Sequence, residues 1–302
     1  MYYILYALLY LVSLLPYFIL YLLSDLIFFI MYYVIGYRKH VVMQNLDKAF
    51  PEKSKDEKRR IAIKFYINLA DSMVEMIKLL SISKHSFSKR ASINLERILP
   101  LVNKGKNIQF HCGHQFGWEY GNWIVAMNMP VAFIGIYMKL SNDIFNRIVY
   151  QLRSRSGTIL VSTQEFKQKM HQLFSSQYSI GLAADQKPLE GSKAYWLNFF
   201  GTPTPFVVGP DKAAIKNNTA VVFVNLKKIK RGHYFFETEV YCENGSQCKE
   251  GEITVSYRDF LEKSIKEQPD NYLWSHRRWK YEYSDEYSSR WIDTTPPAIK
   301  YV

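Results

Sequence analysis

The run Gly113-His114-Gln115-Phe116-Gly117-Trp118-Glu119 sets a histidine and a carboxylate five positions apart, directly after the apolar stretch Ile108 to Cys112. A neutral imidazole near pH 7 can take a proton from a hydroxyl. A carboxylate beside it can hold the ring in the right tautomer and stabilise the imidazolium that forms. Acyl transfer to an alcohol needs that pairing, with His114 as base and Glu119 as its partner. A base that activates the acceptor directly needs no acyl-enzyme, and the chain has no obvious nucleophile motif.

Other residues carry anion chemistry. Arg153 and Arg155 can grip phosphate oxygens in bidentate fashion, or simply offset the dipole at the end of a helix. Asp185-Gln186 follows an apolar run. The pair reads either as a turn and helix cap or as groups that order Arg153 or bind a sugar. His276, Arg277, Arg278 and Lys280 alternate with aromatic residues. Such a cluster suits an anionic headgroup or membrane surface, and equally a latch of stacked rings and guanidinium groups.

These residues need elements to position them. Residues 2 to 37 carry one formal charge, Asp25, and are otherwise mostly Leu, Tyr, Ile, Phe and Val. A stretch of this length can cross a hydrocarbon layer of about 30 Å. Pro16 and Ser24-Asp25 interrupt it, so a kinked span and an in-plane interfacial helix both remain open. Arg38 and Lys39 follow at once, which by the positive-inside rule places that end in the cytoplasm. Two parts are expected: 1–37, a membrane-anchoring helical segment, and 38–302, a catalytic domain.

Asn45 to Ser81 reads as helical apart from a break at Phe50-Pro51, with Ser54 and Glu57 spaced as a capping box. From Asn107 the pattern becomes α/β. Ile108–Cys112, Val131–Tyr137, Thr158–Val161, Ile180–Ala184 and Ala220–Val224 read as short buried strands. Asp143–Ser154, Glu165–Ser175 and Pro210–Lys216 read as helices between them. Such alternation predicts a mostly parallel sheet with helices on its faces. His233–Tyr241 reads as an antiparallel edge strand and Ile253–Glu267 as a helix. Sites in open α/β sheets gather beyond the carboxyl ends of strands, which is where His114 falls.

Composition narrows the partners. The 302 residues include 23 Tyr and 19 Phe and carry a net charge of +12. Aromatic richness suits contact with lipid, and the basic balance suits anionic lipid or an acidic carrier. No spacing typical of nucleic-acid modules occurs, so nucleic acid is not expected as a partner. Cys112, Cys242 and Cys248 give no disulfide framework. His111-Cys112 beside His114 lacks a second ligand pair, so no metal is expected.

Taken together, the motifs resemble the late acyltransferases of lipid A biosynthesis, the lauroyl/myristoyl family. His114, Trp118 and Glu119 match that family's His-x4-Asp/Glu box, with Phe116-Gly117 in place of its Gly-Asn. Asn45-Leu46 with Ala49-Phe50-Pro51-Glu52 is similar to its first block, and Arg153-Ser154-Arg155-Ser156-Gly157 to its Arg-x-Arg-x-Gly segment. Ala184-Asp185-Gln186, Phe200-Gly201-Thr202-Pro203 and Tyr272 to Lys280 follow in the family's order. At Tyr137-Met138-Lys139 the chain departs from it: relatives usually have a basic residue directly after the Tyr, and here Lys139 comes one place later.

The resemblance implies a glycerol-phosphate-acyltransferase-like α/β fold and an enzyme that needs no cofactor. Its donor would be an acyl thioester on acyl carrier protein. Its acceptor would be a hydroxyl on a phosphorylated glycolipid, at the cytoplasmic side of a bacterial inner membrane. His114 and Glu119 would be catalytic; Lys139, Arg153, Arg155, Asp185, Gln186, Arg277 and Arg278 would bind substrate. A lysophospholipid or aminolipid acceptor, or a non-catalytic lipid-binding protein, are the alternatives.

Overall fold

The computed structural model describes residues 1–297. Helices α1 (Tyr2–Leu14) and α2 (Tyr17–Phe29) are separated at Leu15-Pro16, and α2 runs on as a π-helical segment, Ile30–Ile35. Pro16 interrupts because it has no N–H to give the preceding turn, and it serves instead as the cap of α2. Then come α3 (Lys39–Ala49), α4 (Lys55–Lys78), α5 (Lys84–Ser88), β1 (Ala91–Ile93) and α6 (Leu99–Asn103). The expected capping box starts α4: the Glu57 amide donates to Ser54 Oγ at 3.3 Å, and the Ser54 amide donates to Glu57 Oε2 at 2.8 Å.

The α/β body runs β2 (Ile108–Cys112), α7 (Trp118–Asn128), β3 (Ala132–Tyr137), α8 (Asp143–Ser154), β4 (Ile159–Ser162), α9 (Phe166–Leu173) and β5 (Tyr178–Ala183). It continues through the hairpin β6 (Tyr195–Phe199) and β7 (Thr202–Phe206), then α10 (Gly209–Asn217), β8 (Ala220–Lys230), β9 (His233–Cys242) and α11 (Glu252–Glu267). Seven strands form one sheet in the order β1-β9-β8-β2-β5-β3-β4. Every neighbouring pair is parallel except β8 with β9. The mostly parallel α/β architecture read from the sequence is therefore present. One detail differs: β9 is antiparallel but is not an edge, because the short strand β1 pairs along its far side.

Side chains alternate across the sheet and build two large cores, beside a smaller third cluster of Ile134, Val161, Tyr178 and Ile180 on β3, β4 and β5. Val221 and Phe223 join Phe65, Phe116, Tyr257 and Leu261 on one face. Ala220, Val222 and Val224 join Phe110, Tyr120, Trp123 and Tyr234 on the other. The central strand, β2, is thus covered on both faces, with β5 beside it.

Candidate active site

In the register of β2 with β5, Cys112 lies opposite Ala183. Each strand runs two residues further to a chemical group, His114 on one and Asp185 on the other. His114 Nδ1 lies 2.5 Å from Asp185 Oδ1, and the His114 amide donates to Asp185 Oδ2 at 2.9 Å. One carboxylate therefore holds both the ring and the backbone of the same residue. The Tyr272 hydroxyl lies close enough to favour its charged form as well. Burial would push the Asp185 pKa up, but the imidazole and these groups outweigh it and hold the group ionised, below its ordinary range. Burial pulls the His114 pKa down, yet the carboxylate wins and leaves it above its ordinary value near 6.5. Asp185 is almost fully enclosed while the His114 side chain keeps 26% of its surface exposed, so the ring can be reached.

Local geometry demands the flanking glycines. A Cβ at Gly113 would come within 2.5 Å of Leu261 Cδ1. Gly117 has φ +97°, in the left-handed region that side chains disfavour, and a Cβ there would meet the Tyr234 ring at 2.7 Å. That turn starts α7 and lets Trp118 and Glu119 point back across its first turn.

Glu119 does not orient His114, contrary to expectation. It accepts from Arg153, whose Nε donates to Oε2 at 2.9 Å and whose Nη2 donates to Oε1 at 2.6 Å. Trp118 Nε1 donates to the same carboxylate at 3.0 Å. Three donors occupy Glu119, and Nδ1 of His114 is already taken by Asp185 from the neighbouring strand. The two acidic residues have exchanged the roles suggested by chain distance: Asp185 orders His114 and Glu119 orders Arg153. Arg153 lies near enough to His114 to oppose protonation of the ring. Burial weakens the Arg153 cation and Glu119 more than restores it, so the guanidinium stays charged.

The other expected binding residues scatter. Arg155 turns away from His114: its Nη1 donates to the Leu79 carbonyl at 2.5 Å and its guanidinium lies 5.4 Å from the Trp123 ring. Lys139, on the loop after β3, pairs with Glu165 at 3.2 Å in the open. Gln186 follows Asp185 on the same loop, half-buried. Arg277 is exposed, whereas Arg278 is buried with Nη1 on the Pro205 carbonyl at 2.9 Å and its guanidinium 4.3 Å from the Phe206 ring. Burial and Arg278 push the His276 pKa down to about 4, leaving that ring uncharged.

The aromatic block near residue 272 does something that the sequence did not reveal. The Phe116 amide donates to the Asn271 carbonyl at 2.9 Å, and the Leu273 amide donates to the His114 carbonyl at 3.0 Å. Asn271 to Leu273 thus clasp the histidine loop. The clasp is held in turn by Asn45 Nδ2, which donates to the Trp274 and His276 carbonyls, each at 2.7 Å. Gln115, buried beneath the loop, donates to Asn225 Oδ1 at 3.0 Å and accepts from the Leu226 amide at 3.2 Å. Among the described residues, no three His, Cys, Asp or Glu side chains converge to hold a metal ion.

An imidazole anchored through Nδ1, beside a carboxylate-held arginine at the carboxyl ends of parallel strands, is suited to taking up and returning a proton. No curated protein matches the chain. A family model described as bacterial lipid A biosynthesis acyltransferase matches residues 1–281, and the chain belongs to that family.

Proposed function

We propose that the protein moves a fatty acyl chain from an acyl-carrier-protein thioester to a hydroxyl of a lipid A precursor, at the cytoplasmic face of the bacterial inner membrane. Residues 1–37 anchor it there and residues 38–302 carry the chemistry. The observation that carries this reading is the 2.5 Å contact between His114 Nδ1 and Asp185. With Nδ1–H donated to the carboxylate, Nε2 keeps its lone pair and can accept a proton.

In this mechanism Nε2 of His114 removes the acceptor's hydroxyl proton as oxygen attacks the thioester carbonyl. The tetrahedral oxyanion draws on Arg153 and on the free amides of the first turn of α7. Collapse breaks the carbon–sulfur bond, and the imidazolium returns its proton to the departing thiolate. The ester forms, a thiol leaves, and the enzyme is unchanged. The Asp185 carboxylate offsets the transient positive charge of the ring. Glu119 acts one step removed, by holding Arg153 in place.

The test is direct. Purified protein is given acyl carrier protein charged with fatty acid and either a lipid A precursor or a lysophospholipid, and products are read by mass spectrometry. Acylation of the precursor, lost in His114→Ala with folding retained, is the expected result. Acylation of the lysophospholipid alone removes the acceptor assignment, and full activity in His114→Ala removes the mechanism.

A further inference from the structure

Helix α2 and its π-helical extension form a 19-residue apolar helix, Tyr17–Ile35, with a mean hydropathy of 2.2, long enough to cross a membrane. Its contacts point to another arrangement. Its hydroxyl-bearing residues face the protein alongside buried Leu20 and Met31, while large apolar side chains cover its outward side, unlike the surface helix of a water-soluble domain.

The inward side is hydrogen-bonded along its length. Tyr17 and Tyr120 hydroxyls meet at 3.1 Å, Tyr21 donates to Glu75 Oε1 at 3.0 Å, and Ser24 donates to Asp71 Oδ1 at 2.7 Å. Further on, Tyr32 packs edge-on against Tyr66 at 5.3 Å. As positions rise along α2 they fall along α4, so the two helices lie antiparallel and flush. Asp71 is itself held by Lys228 at 3.0 Å and by Arg231 at 2.6 Å, and Arg231 also reaches Asp25 at 2.6 Å. The outward side of α2 carries Phe18, Leu22, Leu26 and Phe29, each more than half exposed, and steps of three and four put these on one face. On α1, beyond the Pro16 break, Leu8 and Leu11 are likewise exposed.

A perpendicular span would put Asp25 at mid-depth. It would also drag α4, Lys228, Arg231 and the end of the β8–β9 hairpin into hydrocarbon, where charge is expelled. Lying flat, the same helix immerses its apolar residues, while Asp25, exposed but paired with Arg231, stays at headgroup level. The flanks suit an anionic bilayer surface. Arg147 sits 4.0 Å from the Tyr2 ring and Lys39 3.8 Å from the Tyr32 ring; Arg90 lies 3.4 Å from Tyr17. Cations above tyrosine rings at the edge of an apolar strip match the headgroup level of a membrane.

We infer that α1 and α2 with its extension do not cross the bilayer but lie in its cytoplasmic interface, as a flat raft whose occupant is anionic phospholipid. This rests on the membrane association proposed above and adds its geometry.

The test uses the full chain on vesicles of phosphatidylethanolamine and phosphatidylglycerol. Cys112, Cys242 and Cys248 are replaced by serine, and spin labels are placed singly through Phe18→Cys, Leu22→Cys, Leu26→Cys and Phe29→Cys. Positions 18 and 29 are about 16 Å apart along the helix axis. The raft predicts one shallow depth for all four labels, about 5–10 Å below the surface. Depth that passes through the midplane near position 26, or labels open to water on bound protein, overturns it. A second readout needs no cysteine change: green fluorescent protein fused before Met1 stays in the cytoplasm and fluoresces if the helix is flat, and is exported and dark if it spans. Failure to bind vesicles at all removes membrane association as well; loss of acyl transfer with shallow labels touches only the chemistry.

Discussion

His114 and Asp185 stand at the same level on adjacent parallel strands, two residues past the Cys112–Ala183 register pair, and meet at 2.5 Å. No turn or helix joins them. The sheet itself sets their separation: β2 is its central strand and β5 is the neighbour on one side. In the proposed mechanism Asp185 positions the base, and its removal is informative.

Asp185→Asn keeps the shape but removes the charge that raises the His114 pKa. Burial then dominates, so the pKa falls. The base must be neutral to act, so the wild-type rate rises with pH through a pKa above 6.5. In the variant that acidic limb moves to lower pH. The plateau drops as well, because an amide can present its N–H₂ and favour the wrong tautomer; a fall on the order of 10²-fold is expected, and His114→Ala should lose about 10²–10⁴. The pH dependence of kcat/KM checks the direction, and an unmoved limb would count against the pair.

Arg153→Ala should shift the same limb the opposite way. The guanidinium opposes protonation of His114, so its loss lets the pKa climb. Glu119→Ala acts through the same arginine. The two losses should not add: a double-mutant cycle is expected to give a coupling of roughly 1–3 kcal/mol in the activation barrier. Strict additivity would separate Glu119 from Arg153.

Gly117→Ala combines a left-handed backbone at φ +97° with a clash against Tyr234. Tyr234 cannot retreat cheaply, since its hydroxyl donates to the buried Glu75 at 2.7 Å. A loss of about 1–3 kcal/mol is expected, read by urea unfolding. Activity should fall too, because the same turn aims the first amides of α7.

The neighbouring arginines near the carboxyl end should behave differently. Arg277→Ala changes an exposed side chain and should alter stability by less than about 0.5 kcal/mol. Arg278→Ala empties a site between Phe199 and Phe206 and strips the Pro205 carbonyl of its donor. A cost of roughly 2–4 kcal/mol is expected in the same unfolding measurement.

Much of this was legible beforehand, because periodicity and capping are local. The run Ile108–Cys112, the Ser54–Glu57 box and the α/β alternation all reappear as read. The partner of His114 did not, since strand order is a property of the whole sheet. Glu119 is near in the chain, while Asp185 is 71 residues away yet one strand over. The β6–β7 hairpin was also missed. Pro203 and Pro205 interrupt the usual strand composition, and β7 tolerates them in a two-stranded ribbon outside the main sheet. The three-residue β1 is too short to show a period, which is why β9 looked like an edge.

The clasp of Asn271 to Leu273 on the histidine loop has a temporal meaning. The ribosome makes the loop well before its clasp. A nascent chain can fold β2 and the helices around it, but the His114 carbonyl and the Phe116 amide gain these partners only once Asn271 to Leu273 emerge. The loop is thus completed long after its own synthesis, and a chain cut ahead of Asn271 should show faster hydrogen exchange at the Phe116 amide.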